Sequence, residues 1–465
     1  MSAKKKFHVP HSFVIVFSMI LVAVLLTWII PAGEFVRVEN ADGIKVIDPS
    51  QFSYIERTPV NPFLIPMYIV SAFIKRVDIM LVILFSGAAF HMLTKAGALQ
   101  AVIAKLAKKF SNNLYVFIPI LTLMFGLICT TQAVNMFIAF APVMVMLALA
   151  IGLDSITGAA IILLGGAIGF STGTLNPSTT VVAQKIAELP LYSGIGYRWV
   201  CFAVYYVITN LFLVRYALKI QKDPTKSPMY ELDQHSEFRT SGGLDDFGTI
   251  DLRKILCIVA LVVSLAVVIY GSIKLGWDME QMAAMFIWLA VIVGVIAGFD
   301  TTTISRYFLE GCQKMMSAMI IIGLAQSISL IMSDGKIIDT VIYALAGVLN
   351  HVPAILMGPA MLIANTIINV FITSGSGQAA AVMPILAPLS DLIGMTRQTT
   401  ILAFNFGDGF CNYILPTSTA LMGIISACNI PYDRWMRFMW KMFAIWLVTG
   451  SVLLVIAQLM HYGPM

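Results

Sequence analysis

The sequence predicts an all-α polytopic membrane protein made of two inverted repeats, each carrying a re-entrant hairpin and a broken transmembrane helix. Three observations predict it. The 465-residue chain is 59% hydrophobic and only 11% charged, with mean hydropathy +0.89, more apolar than a water-soluble domain of that size needs. Its apolar stretches repeatedly reach the roughly 17–25 residues that span a bilayer as helix. Finally, a set of landmarks occurs twice in the same order. Gln132-Ala133 and Ala141-Pro142 recur 246 residues later as Gln378-Ala379 and Ala387-Pro388, Asn176-Pro177-Ser-Thr-Thr180 recurs as Leu415-Pro416-Thr-Ser-Thr419 at an offset of 239, and Arg198-Trp199 recurs as Arg434-Trp435 at 236. The shared landmarks are small polar breaks inside hydrophobic segments.

Taken in order, the first apolar run, Ser12–Ile30, follows Lys4-Lys5-Lys6. It is long, lacks a small-residue cleavage site and ends in Trp28-Ile-Ile-Pro31, so it reads as a retained transmembrane helix rather than a signal peptide. Pro31 to Asn61 is an acidic, polar loop too short to fold alone. Pro62–Arg76, Gly97–Phe110 and Thr301–Met316 are short and amphipathic, expected along the membrane interface. Further crossings are Ile79–Thr94, a broken one from Ser155 to Pro190, Trp199–Lys219, Leu252–Tyr270, Met279–Gly298, Ser317–Ser333, a broken one from Gln398 to Cys428, and Trp435–Met460. Two apolar pairs, Leu114–Cys129 with Ala133–Ile151 and Val352–Ile372 with Ala379–Gly394, fit re-entrant hairpins whose polar tips fall near mid-membrane depth. The alternative is that each pair makes two full crossings. Backbone freed at such depth is tolerated only where it is buried in protein or lines a wet cavity.

Residues 1–220 form the first repeat, 221–250 a cytoplasmic linker and 251–465 the second repeat. The helix Leu252–Tyr270 is extra, and it flips the second half. With the amino terminus in the cytoplasm, inner segments hold 19 of the 29 Lys+Arg, as the positive-inside rule requires. Nine crossings then leave the carboxyl terminus outside a plasma membrane. The formal charge of +5 comes from these loops and does not point to nucleic acid. The six cysteines lie in or beside apolar segments without a CxxC pair and read as packing residues.

The chemistry concentrates at the breaks. Tip one is Thr130-Thr131-Gln132; tip two is Thr373-Ser374-Gly375-Ser376-Gly377-Gln378. The broken helices supply Ser171–Thr180, including Asn176, Ser178 and Thr179, and Gly407–Thr419, including Thr417, Ser418 and Thr419. Glycine lets the backbone leave the helix and approach a solute. Hydroxyls and freed carbonyls suit a sodium ion, and half-helix amino termini suit a carboxylate. These residues are the candidate substrate contacts. The bland alternatives are a small-residue packing patch for tip two and a Pro-kinked helix for Asn176–Thr180. Asp408, in Phe406-Gly-Asp-Gly-Phe410, is an intramembrane carboxylate and so the candidate ion-coupling group for sodium or a proton, with Asn405 and Asn412 beside it; the bland role is a cap on the following half-helix. Asn365 and Asn369 are polar within a membrane segment. Gln326 and His91 read as packing partners, Lys185 and Glu188 as a local ion pair, and Asp391 as facing water.

At these motifs the chain resembles the YfcC family, relatives of the anaerobic four-carbon dicarboxylate carriers within the wider ion transporter superfamily. The carrying residues are Phe371-Ile-Thr-Ser-Gly-Ser-Gly-Gln-Ala-Ala380, Met383-Pro-Ile-Leu-Ala-Pro-Leu389 with Asp391, Arg397-Gln398, Phe406-Gly-Asp-Gly-Phe410 and Pro416-Thr-Ser-Thr419. The resemblance spans essentially the whole chain. It implies inverted repeats, two re-entrant hairpins, elevator-like alternation and coupling to an ion gradient or membrane potential, with dimers as the superfamily's frequent state. Members of the family carry an acidic pair at the first tip, where this chain has Thr130-Thr131-Gln132. That departure weakens the case for a cationic cargo.

Paired broken segments in two halves point to a secondary transporter's binding site. The expected cargo is a small carboxylate-bearing solute, an amino acid or a dicarboxylate. The rival within transport is an arginine/ornithine-type exchanger. An intramembrane enzyme would need a convergent nucleophile–base or metal set; HExxH is absent and the histidines are scattered. A channel would favour a continuous ring of charge or carbonyls, which the asymmetric breaks do not supply. No bound cofactor is expected beyond a coupling ion.

Overall fold

In the computed structural model the described residues are 12–39, 45–98, 101, 113–236, 238, 251–275, 277, 279–349 and 351–463. Among them every regular element except one β-hairpin is helical. Helix α1 (Ser12–Ile29) carries no charge over 18 residues. The loop that follows, read as too short to fold alone, forms β1 (Gly33–Glu39) and β2 (Lys45–Tyr54), paired antiparallel from Gly33 opposite Tyr54 to Glu39 opposite Lys45. A lone two-stranded hairpin is marginal in water; this one is held from outside. The Phe35 amide donates to Asp339 Oδ2 at 3.0 Å, and the Phe52 ring stacks on Tyr343 with centroids 4.1 Å apart.

Helix α2 (Ile65–Lys75) and α3 (Val77–Lys95) follow, separated only by Arg76. Most of the expected interfacial segment Gly97–Phe110 lies outside the described residues. The first hairpin is α4 (Leu114–Cys129), a turn, a 3-10 segment Val134–Phe140 and α5 (Ala141–Ala150). The first broken helix is α6 (Ser155–Ser171), a π-helical turn Pro177–Val181 and α7 (Val182–Ile186). Helix α8 (Ile195–Lys222) closes the half. The described part of the linker is docked by α9 (Tyr230–Gln234). Its buried Asp233 accepts from the Ser155 amide at 3.0 Å, at the amino end of α6.

The second half contains α10 (Leu252–Lys274), α11 (Met279–Ala297), α12 (Thr301–Lys314), α13 (Met316–Asp334) and α14 (Ile338–Leu349). The sequence reading did not anticipate α14, which carries the β-hairpin. The second hairpin is α15 (Ala354–Phe371) and α16 (Gly375–Leu392). Then come α17 (Arg397–Cys411), α18 (Thr419–Ala427) and α19 (Tyr432–Leu459). Six helices among the described residues are long and apolar enough to cross a membrane, α12 and α13 being taken there as one. Helix α15, expected to be short or interrupted, is one of them: Pro359 lies near its start and does not divide it.

Packing repeats between the halves. Helix α4 lies along α6 as α15 lies along α17, and both broken helices cross each other. The second arm of each hairpin reaches into the other half: α16 packs on α7, and Val134–Phe140 packs on α18. Likewise α1 packs on α13 and α11 on α3. Glycine allows the closest approaches. A Cβ on Gly169 would fall 2.0 Å from Gly126 O, and one on Gly407 would fall 2.5 Å from the Asn365 Cβ.

That packing corrects one boundary. The second break was expected over Gly407–Thr419, but α17 stays helical through Cys411 and the chain is unwound only from Asn412 to Ser418. Gly407 and Gly409 serve contact rather than unwinding: a Cβ on Gly409 would lie 2.6 Å from the Ser171 Cα of α6. Tip two is likewise shorter than expected. Only Ile372–Ser374 are unwound, and Gly375–Gln378 already form the first turn of α16.

Candidate functional site

The first break is organised around a buried cation. Arg198, in the first turn of α8, is 1% exposed. It donates through Nη1 to Asn405 Oδ1 at 2.7 Å and Gly173 O at 3.5 Å, and through Nη2 to Gln398 Oε1 at 3.3 Å. The Thr180 hydroxyl lies 3.0 Å from Gly173 O and 3.3 Å from Asn405 Oδ1. Asn405 in turn donates to the Thr179 hydroxyl at 3.4 Å, and the Thr179 amide donates to Asn176 Oδ1 at 3.1 Å. A guanidinium thus gathers the oxygens of both broken helices. Gly173 has φ +60, and a Cβ there would fall 2.5 Å from Asn405 Oδ1, so glycine alone suits the turn. The Ser178 side chain lies outside the described residues.

The second break is organised around a buried anion. Asp408 sits in the last turn of α17 and is 1% exposed. Its backbone carbonyl accepts from Asn369 Nδ2 and Asn412 Nδ2, each at 2.7 Å. Its two carboxylate oxygens have no hydrogen-bond partner among the described residues. Tip two approaches it directly. A Cβ on Gly375 would meet Thr179 Cγ2 at 2.5 Å and Asp408 Oδ2 at 3.1 Å. Tip two, the π turn of the first half and the last turn of α17 therefore meet at one point. Other buried oxygens without a partner lie in the same segments: Ser171 Oγ, Thr174 Oγ1, Asn369 Oδ1, Gln378 Oε1 and Thr417 Oγ1. Buried polar atoms are nearly always hydrogen-bonded, so a concentration of bare oxygens suits a cation.

The two tips are not alike. Ser374 caps α16, accepting from the Gly377 amide at 3.4 Å, and its hydroxyl lies 3.5 Å from that of Ser376. Ser374, Ser376 and Gly377 are exposed. Gln378 is fully buried and donates to Asn365 O and Oδ1 at 3.0 and 3.1 Å, tying the two arms of its hairpin together. In the first tip, Thr130 and Thr131 turn their hydroxyls back to Leu127 O (2.7 Å) and Ile128 O (3.1 Å). Gln132, the counterpart of Gln378, is half-buried. In the second break Ser418 caps α18 through the Leu421 amide at 3.4 Å, with Thr419 half-buried beside it. The convergence is thus clearest for Thr179, Gly375, Asn405 and Asp408.

A cavity of about 800 Å³ opens onto tip two. Thr373, Ser374 and Gly377 form one wall; α2, α13 and the β-hairpin form the other, with Arg37, Lys75, Arg76 and Lys336 as its cations and Glu34 and Asp339 as its anions. Sequence reasoning did not single out Arg198 or these four cations. Arg198 was visible as a duplicated landmark. Arg76 was visible as a charge interrupting the apolar run from Pro62 to Leu93.

Glu188 pairs with Arg397 at 3.2 Å across the halves rather than simply forming a local pair with Lys185. Asp391 takes the other side of Arg397 at 2.8 Å. Both carboxylates push the Arg397 guanidinium's pKa above its ordinary value, chiefly through the Asp391 hydrogen bond.

The profile of the C4-dicarboxylate anaerobic carriers, DcuC, matches residues 9–459. The chain belongs to that family. It is a multi-pass membrane transporter that moves a small molecule, not an enzyme. It is 30% identical over 98% of both chains to an Escherichia coli K12 protein, YfcC, whose name proposes a basic amino acid antiporter. It is 28% identical over 97% of both chains to an uncharacterized protein of Haemophilus influenzae. Among solved structures it is similar to the Alcanivorax borkumensis YdaH transporter (16% identity, TM-score 0.42, covering 98% of this chain and 100% of that one). It is also similar to Neisseria gonorrhoeae MtrF, from a class of antimetabolite efflux pumps (16%, 0.40, 97% and 96%).

Proposed function

We propose that the protein is a secondary active transporter of a small carboxylate-bearing solute, coupled to a cation at Asp408 and working by elevator-like movement of a core against a scaffold. The observation that carries this is the meeting of Gly375, Thr179 and Asp408 beneath a cavity that opens onto Ser374. A carboxylate buried without a partner is costly, and sodium or a proton would relieve it. Binding there would draw tip two onto the break, and the amino end of α16 with Ser374 would receive the carboxylate of the cargo. The reciprocal packing of the two halves supports two inverted repeats, divided near residues 221–250, with re-entrant hairpins whose tips meet the breaks half-way along the spans.

The relative's name brings a second reading, exchange of basic amino acids. Such a cargo needs an acid facing the cavity. Both cavity carboxylates are already paired, Glu34 with Lys336 at 2.5 Å and Asp339 with Arg37 at 3.0 Å. The excess charge on that wall is positive, which favours an anionic or zwitterionic cargo.

Uptake into proteoliposomes tests the proposal, using labelled succinate, aspartate, glutamate, arginine and ornithine with and without sodium and proton gradients. Saturable, gradient-driven uptake of a carboxylate that is lost in Ser374→Ala/Ser376→Ala supports it. Arginine–ornithine counterflow without an ion requirement would replace it with the exchanger reading.

A further inference from the structure

The cavity wall opposite tip two holds a guanidinium that the proposed cycle leaves unused. Arg76 lies between α2 and α3 and donates through Nε to Gln326 Oε1 at 2.8 Å. Gln326 is 5% exposed and sits near the middle of α13. That bond fixes the plane of the guanidinium. Nη1 and Nη2 make no hydrogen bond or ion pair among the described residues, and Asp78, two residues on, does not pair with it. The other cations of the wall differ. Arg37 and Lys336 are each matched by a carboxylate, and Lys75 is exposed, with no ion pair among the described residues. Only Arg76 is both uncompensated and held in place.

We propose that Arg76, oriented by Gln326, is a specificity-determining residue that grips an anionic group of the cargo from the scaffold side. The inference rests on the cavity being the cargo's access path. A fork whose Nε is tethered and whose Nη1–Nη2 edge is free suits a carboxylate bidentately, which a lysine cannot match. It also acts in one state only. Arg76 caps the carboxyl end of α2, which packs on the α13 that carries Gln326, whereas Ser374 belongs to a hairpin that packs on α17. If the hairpin moves with the core, the cargo leaves Arg76 behind. A contact made in one facing state biases the equilibrium by its differential free energy, so affinity is higher on the face to which this cavity opens.

The test uses the full-length protein in detergent, with thermal shifts in succinate, aspartate, glutamate, arginine and ornithine. The expected result is stabilisation of the wild type by at least one carboxylate. Its half-saturating concentration rises roughly tenfold or more in Arg76→Gln and in Gln326→Leu, and Arg76→Lys recovers only part of it. In proteoliposomes of sorted orientation, Arg76→Gln raises half-saturation on one face only. An unchanged half-saturating concentration in Arg76→Gln, or an equal rise on both faces, overturns the inference while leaving the transporter reading intact. If no member of the panel stabilises the wild type, the carboxylate-cargo reading fails and takes the inference with it.

Discussion

The two helix breaks are built from the same parts and solve opposite electrostatic problems. In the first, Arg198 supplies a tethered cation, and Asn405, Gly173 and Gln398 give it oxygens at 2.7–3.5 Å. In the second, Asp408 supplies an anion whose two oxygens have no partner among the described residues. The first charge is therefore engaged as folded, through both terminal nitrogens of Arg198, and joins three segments. The second is incomplete as folded, and tip two rests against it. On the proposed function, the first break serves cohesion and the second is left for a mobile ion.

Asp408→Asn is the sharpest way to break that contrast. It keeps the shape and removes the charge, so ion-driven uptake falls on the order of 5- to 150-fold, while the melting temperature holds or rises because a buried unpaired carboxylate is gone. A melting temperature that falls sharply would make Asp408 structural. Arg198→Met gives the reverse pattern. It strands buried acceptors on α6 and α17 and costs about 1–3 kcal/mol of stability, seen as a lower melting temperature whether or not ions are present. Sodium-dependent rescue of that variant would show that the first break can also take a mobile cation.

Gly169→Ala and Gly407→Ala probe the crossings themselves. Each places a methyl against a neighbouring helix with no room to yield, and overpacking costs roughly 1–3 kcal/mol. Similar losses in both, read by thermal melts, would agree with one packing plan used twice; a loss in only one would separate the halves.

The smallest effect lies at the β-hairpin. The hydrogen bond from Lys336 holds the Glu34 carboxyl below its ordinary pKa of 4.5. A depressed carboxyl stabilises the fold above its unfolded pKa, and that contribution is lost as pH falls through its folded pKa. Both side chains are well exposed, so the pair contributes a few tenths of a kcal/mol at most. Glu34→Gln should speed proteolysis of the hairpin slightly at pH 7, and the difference from wild type should shrink as pH falls through the depressed folded pKa of Glu34.

Hydropathy by itself determined the helical membrane class, and the polar landmarks marked, to within a few residues, where the helices are interrupted. Lipid allows so few backbone solutions that length and polarity nearly specify the element. Even Asp408 was legible, because a carboxylate in an apolar run needs a reason. Only the tertiary structure decided what each polar residue does. Gly407 and Gly409 read as unwinding yet lie within α17, because their missing side chains admit α15 and Ser171. Gln132 and Gln378 occupy matched positions, yet only Gln378 ties its hairpin together, because Asn365 stands opposite it. Arg198, a repeated landmark, and Arg76, the end of an amphipathic segment, had no assigned role in the linear chain. One became a buried keystone and the other a free fork, because partners some 200 and 250 residues away closed on them. Pairing across such distances depends on which helix faces meet, and no local pattern encodes that.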